Sequence, residues 1–286
     1  MTRASPFLMK GRGVILEEHI VEILNQIEKE YNVKILYACE SGSRTWGIAS
    51  EESDYDVRFI YIHHPDWYLS IDQKRDVLEI PKHDKVGIPV NPLVDMTGWE
   101  LTKALRLFRK SNPALLEWLH SNITYFQAYS FFERIRLLEP AVISPIPCMY
   151  HYVKMAKGNF KAIQEKGQHV KTYINVIRPL LMAKSIEKYN KMVSLDLNTL
   201  VAEVINEDKL KLEIENLIRV KTSGQKLVNQ LTELDKFIEH EIHHLERYNT
   251  KLKSSTLNPT GLLNQLFRDI LTEVWKPDET RNRSHE

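Results

Sequence analysis

The amino-acid sequence predicts an α+β fold in which a small mixed β-sheet flanked by helices is followed by an all-helical portion. Three observations carry that prediction. Leu16, Ile20, Ile23, Leu24, Ile27 and Tyr31 recur at helical spacing, which gives an amphipathic helix able to cover one face of a sheet. Two short apolar runs follow, Ile35 to Ala38 and Tyr55 to Ile62, separated by a Gly42-Ser43 break that no strand continues through. Beyond Ser144-Pro145-Ile146-Pro147, where two prolines in four residues mark a boundary, apolar residues keep helical spacing and no strand-like alternation interrupts them.

These signals divide the chain into a loose arm over residues 1–13, an α+β portion over 14–143, a helical portion over 148–275 and a polar, disordered tail over 276–286. Within the α+β portion, Trp67-Tyr68-Leu69 is expected to pack a short helical turn over the sheet. Val77 to Ile80 reads as a strand, Pro81 to Gly87 as a turn, and Pro89 to Met96 as a return strand that ends with Asp95, with a helix beginning near Thr97. Leu101, Ala104, Leu105 and Phe108 share one face of that helix. Asn112-Pro113 opens another, proline being well suited to the first helical position. In the helical portion the expected helices span 148–166, 169–189, 197–220, 223–250 and 259–275.

The chemistry concentrates around Gly42-Ser43 and Asp54-Tyr55-Asp56. A glycine-serine turn after a strand leaves backbone N–H groups free for phosphate oxygens. Strand alternation puts Asp54 and Asp56 on one face, where paired carboxylates can hold Mg²⁺ or Mn²⁺ against the same phosphates. Asp95 is expected to join them as a third carboxylate, with Glu79 as its rival; three such acids on neighbouring strands suit two divalent ions. His63-His64 before Pro65 reads as a turn rather than a metal cluster.

The 286 residues are 43% hydrophobic and 27% charged, enough for a sizeable core, and the net charge of +1 neither supports nor excludes a nucleic-acid partner. Two cysteines, Cys39 and Cys148, are too few for a disulfide framework and read as buried thiols in a reducing cytoplasm. No long apolar stretch indicates secretion or a membrane span.

Gly42-Ser43, then ten residues, then Asp54-x-Asp56 with apolar flanks resembles the signature of the DNA polymerase β superfamily of nucleotidyltransferases. More narrowly, Ser41-Gly42-Ser43-Arg44-x-Trp46-Gly47, Ser53-Asp54-Tyr55-Asp56-Val57-Arg58-Phe59-Ile60-Tyr61, Gly98-Trp99-Glu100-Leu101-x-Lys103-Ala104-Leu105 and Ser111-Asn112-Pro113 with Glu117-Trp118-Leu119 resemble the RlaP-like group associated with RNA repair. The resemblance covers residues 14–136 well and the helical remainder loosely. It implies transfer of a nucleoside monophosphate from a nucleoside triphosphate to an acceptor hydroxyl, an RNA 3′ end being one candidate. Asp54, Asp56 and Asp95 would hold the metal, Gly42 and Ser43 the triphosphate, with Arg44 and Lys103 assisting. Lys171-Thr172-Tyr173 with Arg178-Pro179-Leu180-Leu181 resembles a helix that follows the catalytic domain in this group. Lys171 and Arg178, two turns apart on one face, either reach the triphosphate across a cleft or make an ordinary salt-bridged surface. Glu117 and Trp118 read as structural.

Rival readings remain in view. The same metal core serves nucleotidylation of a protein or small molecule, and a catalytically silent RNA- or partner-binding protein can keep the fold. His240-Glu241-Ile242-His243-His244 satisfies the H-E-x-x-H pattern of zinc peptidases, yet the apolar stripe Leu231, Leu234, Ile238, Ile242 and Leu245 turns His240 and His244 toward water.

Overall fold

The computed structural model describes residues 6–166, 169–224, 231–249 and 258–276. Five strands, β1 (Val33–Ser41), β2 (Tyr55–His63), β3 (Val77–Ile80), β4 (Val94–Glu100) and β5 (Thr124–Gln127), form one sheet in the order β3-β4-β2-β1-β5. The sheet is mixed: β2 and β4 run parallel, and every other neighbouring pair is antiparallel. The parallel pair needs a crossover, which α2 (Pro65–Tyr68) and β3 supply.

Alternation along the strands gives the sheet two apolar faces. On one, Ile20, Ile23, Leu24 and Ile27 of α1 (Pro6–Tyr31) pack on Ile35, Val57, Phe59, Tyr61 and Met96, as the helical spacing in the sequence requires. On the other, Leu36, Ile60 and Ile62 meet α3 (Leu101–Arg109) and α4 (Pro113–Leu119), whose Leu101, Ala104, Leu105, Phe108, Leu115 and Leu119 are all buried.

The second core does not stop at the proline boundary. It runs on through α6 (Pro145–Lys166), α7 (Val170–Tyr189), α8 (Leu197–Val204), α9 (Asp208–Ser223) and α10 (Thr232–Asn249) by way of Tyr152, Tyr173, Ile177, Leu200, Ile214 and Ile238. α11 (Thr260–Trp275) then returns to the sheet side, against α3 and against α5 (Phe131–Val142). Arg109 donates to Thr260 Oγ1 at 2.8 Å, Ser130 Oγ to Glu273 at 2.5 Å, and Arg134 pairs with Asp269.

Several boundaries differ from the sequence expectation. Residues 6–13, expected in an arm, lie in α1, and all of 277–286 fall outside the described residues. The expected 197–220 helix breaks at 205–207, where Ile205 is extended and caps α8. Of the expected 223–250 helix, 232–249 is helical and 225–230 lies outside the described residues. The return strand is displaced: β4 begins at Val94 and continues to Glu100, so the helix starts at Leu101 and not near Thr97. Glu100 enforces this, because its buried carboxylate caps α3 by accepting from Thr102 N at 2.7 Å.

Candidate active site

The displaced strand changes where Asp95 sits. It stands at the beginning of β4, not at its end, and its strand register pairs it with Asp56 at the beginning of β2. Ser41, the last residue of β1, is the antiparallel partner of Asp56, so Ser41, Asp56 and Asp95 form one row across three strands. Asp95 is the nearer of the two rival acids. Glu79 pairs with Thr97, two residues further along, and is tied to Arg75 at 3.0 Å.

The turn after β1 is built around this row. Gly42 has φ +76°, and a Cβ added to it would lie 2.2 Å from Asp56 Oδ2, so both the conformation and the close approach require glycine. Trp46 N donates to Gly42 O and Ile48 N to Ser43 O, which folds residues 42–48 into a compact loop. The N–H groups of Ser43 and Arg44 make no hydrogen bond within the described residues. Glu40 fixes the base of the loop. Its carboxylate accepts from Asp56 N at 2.9 Å and from Tyr125 of β5, while its carbonyl accepts from Thr45 and Ser121. Complete burial pushes this carboxyl up to about 7, against the lowering effect of those donors.

Gly42, Ser43, Ser53, Asp54 and Asp56 line one wall of a cleft of about 350 Å³; Lys171, Ile174 and Asn175 of α7 and Lys221 of α9 line the opposite wall. Asp54, Asp56, Gly42, Ser43 and Lys171, singled out in the sequence, all line this cleft. Sequence reasoning missed Lys221 and Asn175, which come from helices with no local signal connecting them to the loop.

Three expected ligand contacts fall elsewhere. Arg44 turns back, donating to Ser53 O at 2.6 Å and Asp54 O at 3.2 Å with its guanidinium 3.7 Å above the Tyr55 ring, and so braces the segment that presents Asp54. Arg178 is buried: it pairs with Glu117 at 3.0 Å and stacks 3.9 Å from the Trp46 ring. Two helical turns preserve its face but carry it from the open start of α7 into the core. Lys103 lies beyond the opposite end of β4, paired with Asp76 at 3.0 Å, because the strand runs on to Glu100 before α3 starts.

Other motifs find structural partners. Glu117 also accepts from Tyr152 Oη, and Trp118 stacks on Trp99 at 3.8 Å. His63 stacks on Trp67 at 4.2 Å, and burial brings its pKa down to about 4; His64 caps α2. In the H-E-x-x-H stretch Glu241 points inward to Lys184 at 2.7 Å, His240 is exposed, and His244 pairs with Glu187.

Electrostatically the acidic row is under tension. Burial, Asp95 and Asp54 each raise the pKa of Asp56, and Arg58 opposes them. Arg58 donates to Asp56 Oδ1 and forms an ion pair with Asp95 Oδ2, both at 3.0 Å. Sequence reasoning gave Arg58 no role, although the alternation that places Asp54 and Asp56 on one face places Arg58 there too. An all-carboxylate donor set suits a hard divalent cation, and Arg58 already stands as a cation between two of its members. As the side chains stand, no three acidic, His or Cys groups among the described residues converge on one point.

On this α+β fold a glycine-serine turn closes one strand, acids open the two strands beside it, and lysines line the same cleft. The chain belongs to the RlaP family, described as an RNA repair pathway DNA polymerase beta family, whose family model matches residues 16–269. Membership makes it a nucleotidyltransferase. It is 42% identical over 264 residues to the uncharacterized protein YcgL of Bacillus subtilis (strain 168), covering 91% of this chain and 98% of that protein. The crystal structure of a nucleotidyltransferase-like protein from Exiguobacterium sibiricum 255-15 is similar at 11% identity and a TM-score of 0.27, over 88% of this chain and 80% of that one. No helix among the described residues is long and apolar enough to cross a membrane.

Proposed function

We propose that the protein transfers a nucleoside monophosphate from a nucleoside triphosphate to an acceptor hydroxyl, with Mg²⁺ or Mn²⁺ held by Asp54, Asp56 and Asp95. The observation that carries the proposal is the register of Asp56 with Asp95 beside a glycine turn whose Cβ position is filled by an Asp56 oxygen. Divalent ions at these acids supply neutralisation of the phosphates and a lowered pKa for the acceptor hydroxyl. The unspent N–H groups of Ser43 and Arg44 receive phosphate oxygens, and Lys171 and Lys221 neutralise the triphosphate from the opposite wall. Asp95, the more exposed member of its pair, orients the acceptor. The acceptor oxygen bonds to the α-phosphorus, the bond to the β-phosphate oxygen breaks, pyrophosphate leaves, and the hydroxyl proton passes to solvent.

An RNA hydroxyl is the acceptor favoured by the family description. The buried, unpaired thiols of Cys39 and Cys148 agree with a reducing cytoplasm as the place of reaction. The mutual repulsion of Asp54, Asp56 and Asp95 speaks against a silent relic of the fold, since a binding module has no use for it. The test is to incubate the protein with each α-labelled nucleoside triphosphate, Mg²⁺ or Mn²⁺, and separate pools of RNA, protein and small molecules. Label in RNA supports the full proposal, label in another pool keeps the reaction but changes the acceptor, and no label in any pool overturns it.

A further inference from the structure

Arg58 holds an unusual position for a residue two places after a metal-binding acid. Its Nη2 donates to Asp56 Oδ1, and its Nη1 forms an ion pair with Asp95 Oδ2, each at 3.0 Å. The same Nη1 also donates to the carbonyls of Val57 at 3.0 Å and Asp95 at 3.1 Å. The side chain is only 18% exposed, less than either acid it joins. A guanidinium fixed at four oxygens from two strands is part of the architecture, unlike a surface bridge that exchanges freely with water.

The contacts divide the acidic row in two. Asp56 Oδ1 and Asp95 Oδ2, the oxygens between β2 and β4, are occupied by Arg58. Asp56 Oδ2 points the other way, toward Gly42, and the Asp54 carboxylate takes no hydrogen bond or ion pair among the described residues. An ion on the Gly42 side meets carboxylate oxygens that Arg58 does not contact, whereas an ion between Asp56 and Asp95 meets the guanidinium already paired with Asp56 Oδ1 and Asp95 Oδ2.

We infer that Arg58 is a protein-borne stand-in for the acceptor-side ion, holding Asp56 and Asp95 in register and competing with a divalent cation for their oxygens. The inference rests on the divalent-ion role proposed above for these acids. Ion binding is then ordered: the triphosphate-side ion enters without disturbing Arg58, and the acceptor-side ion binds only as the guanidinium withdraws. Arg58 is thus a positioning residue, acting on the acids and not on the substrate.

The test measures Mn²⁺ binding by calorimetry and by the free-ion electron paramagnetic resonance signal, in the presence of a non-hydrolysable nucleoside triphosphate. Wild type is expected to bind one Mn²⁺ tightly and a second at least about tenfold more weakly, a gap of about 1.4 kcal/mol. Arg58→Gln keeps a planar donor without the charge and should tighten the second ion by about that factor, leaving the first nearly unchanged. In EDTA the same variant should melt below wild type, and Mn²⁺ should raise its Tm more than it raises that of wild type. Arg58→Lys, which keeps the charge but loses the fork, should tighten the second ion less, and it carries the test should Arg58→Gln not fold. Equal affinity for both ions in wild type, or a second ion indifferent to both substitutions, overturns the inference while leaving the metal role intact. Absence of Mn²⁺ binding in every variant, with Asp56→Asn no different from wild type, overturns the metal role and the inference with it.

Discussion

The two ends of the parallel pair β2 and β4 both carry acids, and they treat them in opposite ways. At the finishing end, Glu100 is fully buried yet accepts from Tyr68 Oη at 2.6 Å, Thr102 N at 2.7 Å and the Thr102 hydroxyl. Asp76 beside it is shared by Lys103 and Arg106. Each of these two carboxylates has its own donors. At the starting end, Asp56 and Asp95 face each other across the strand register and share a single arginine, with Asp54 adding a third negative charge. Burial alone therefore does not mark the functional acids. What sets the starting end apart is that its neighbours leave it short of positive charge, the condition that the proposed divalent cation would answer.

The largest expected effect breaks the starting end outright. Asp54→Asn and Asp56→Asn should each abolish label transfer, with circular dichroism unchanged and, in EDTA, a Tm equal to or above wild type because a repulsion has been removed. Asp95→Asn should abolish turnover with nucleotide affinity nearly intact, while Glu79→Gln, whose partners are Arg75 and the edge of the sheet, should stay active. An inactive Glu79→Gln beside an active Asp95→Asn would move the third acid to the other strand.

Arg178 sharpens the comparison, because it was expected at the open end and belongs with the closed kind. Arg178→Ala takes the cationic partner from Glu117, whose side chain is 11% exposed, which should cost about 3–5 kcal/mol in denaturant unfolding, and Glu117→Gln in the same chain should restore part of it. A stable Arg178→Ala protein with weakened nucleotide binding would return this residue to the cleft.

Glu40 tests whether the starting end can hold an acid of the closed kind. Its folded pKa, about 7, lies above the ordinary value of 4.5 given by its chemistry, so the folded state binds the extra proton between those two values. Its contribution to stability is therefore complete below about pH 4.5 and lost as pH rises through about 7. Glu40→Gln should flatten the Tm profile over that window, with an upper bound near 3 kcal/mol at about 1.4 kcal/mol per unit. A profile as steep as wild type would show that the buried carboxyl is not what titrates.

The smallest effect distinguishes the lysines. Lys171→Ala and Lys221→Ala should each weaken triphosphate binding by roughly tenfold with Tm unchanged. Lys103→Ala, at the finishing end, should leave nucleotide Kd as in wild type. Equal losses at all three would mean that a diffuse field, and not a cleft, holds the phosphates.

How far the sequence revealed these features follows the range of the interactions that create them. β1, β2, the buried face of α3 and α1 from Leu16 on are written in periodicity that a short window contains, and they fold as read. Asp54 and Asp56 share a wall although β2 starts only at Tyr55 and leaves Asp54 in the loop before it. The start of α3 was misjudged because a helical apolar pattern over Leu101 to Phe108 says nothing of where the preceding strand stops; Glu100 decides it through a cap to Thr102 and a bond from Tyr68, thirty-two residues away in sequence. β5 escaped notice because its four residues lie at the edge of the sheet without enough alternation to register. Lys221 escaped because nothing in α9 encodes its neighbour across the cleft. Arg178 was misread for a subtler reason: position on a helical face is legible in the sequence, but depth along the helix is not.

α11 has a consequence for how the molecule is made. The helix lies against α3 and α5, and Phe267 meets the Tyr68 ring edge-on at 5.0 Å, so the sheet side of the protein is closed by a segment translated after all of α6 to α10. During vectorial synthesis the strands bearing Asp56 and Asp95 emerge early, but α3 and α5 keep an apolar flank uncovered until α11 leaves the ribosome. That flank is apolar surface open to unwanted association in the nascent chain until the last helix docks.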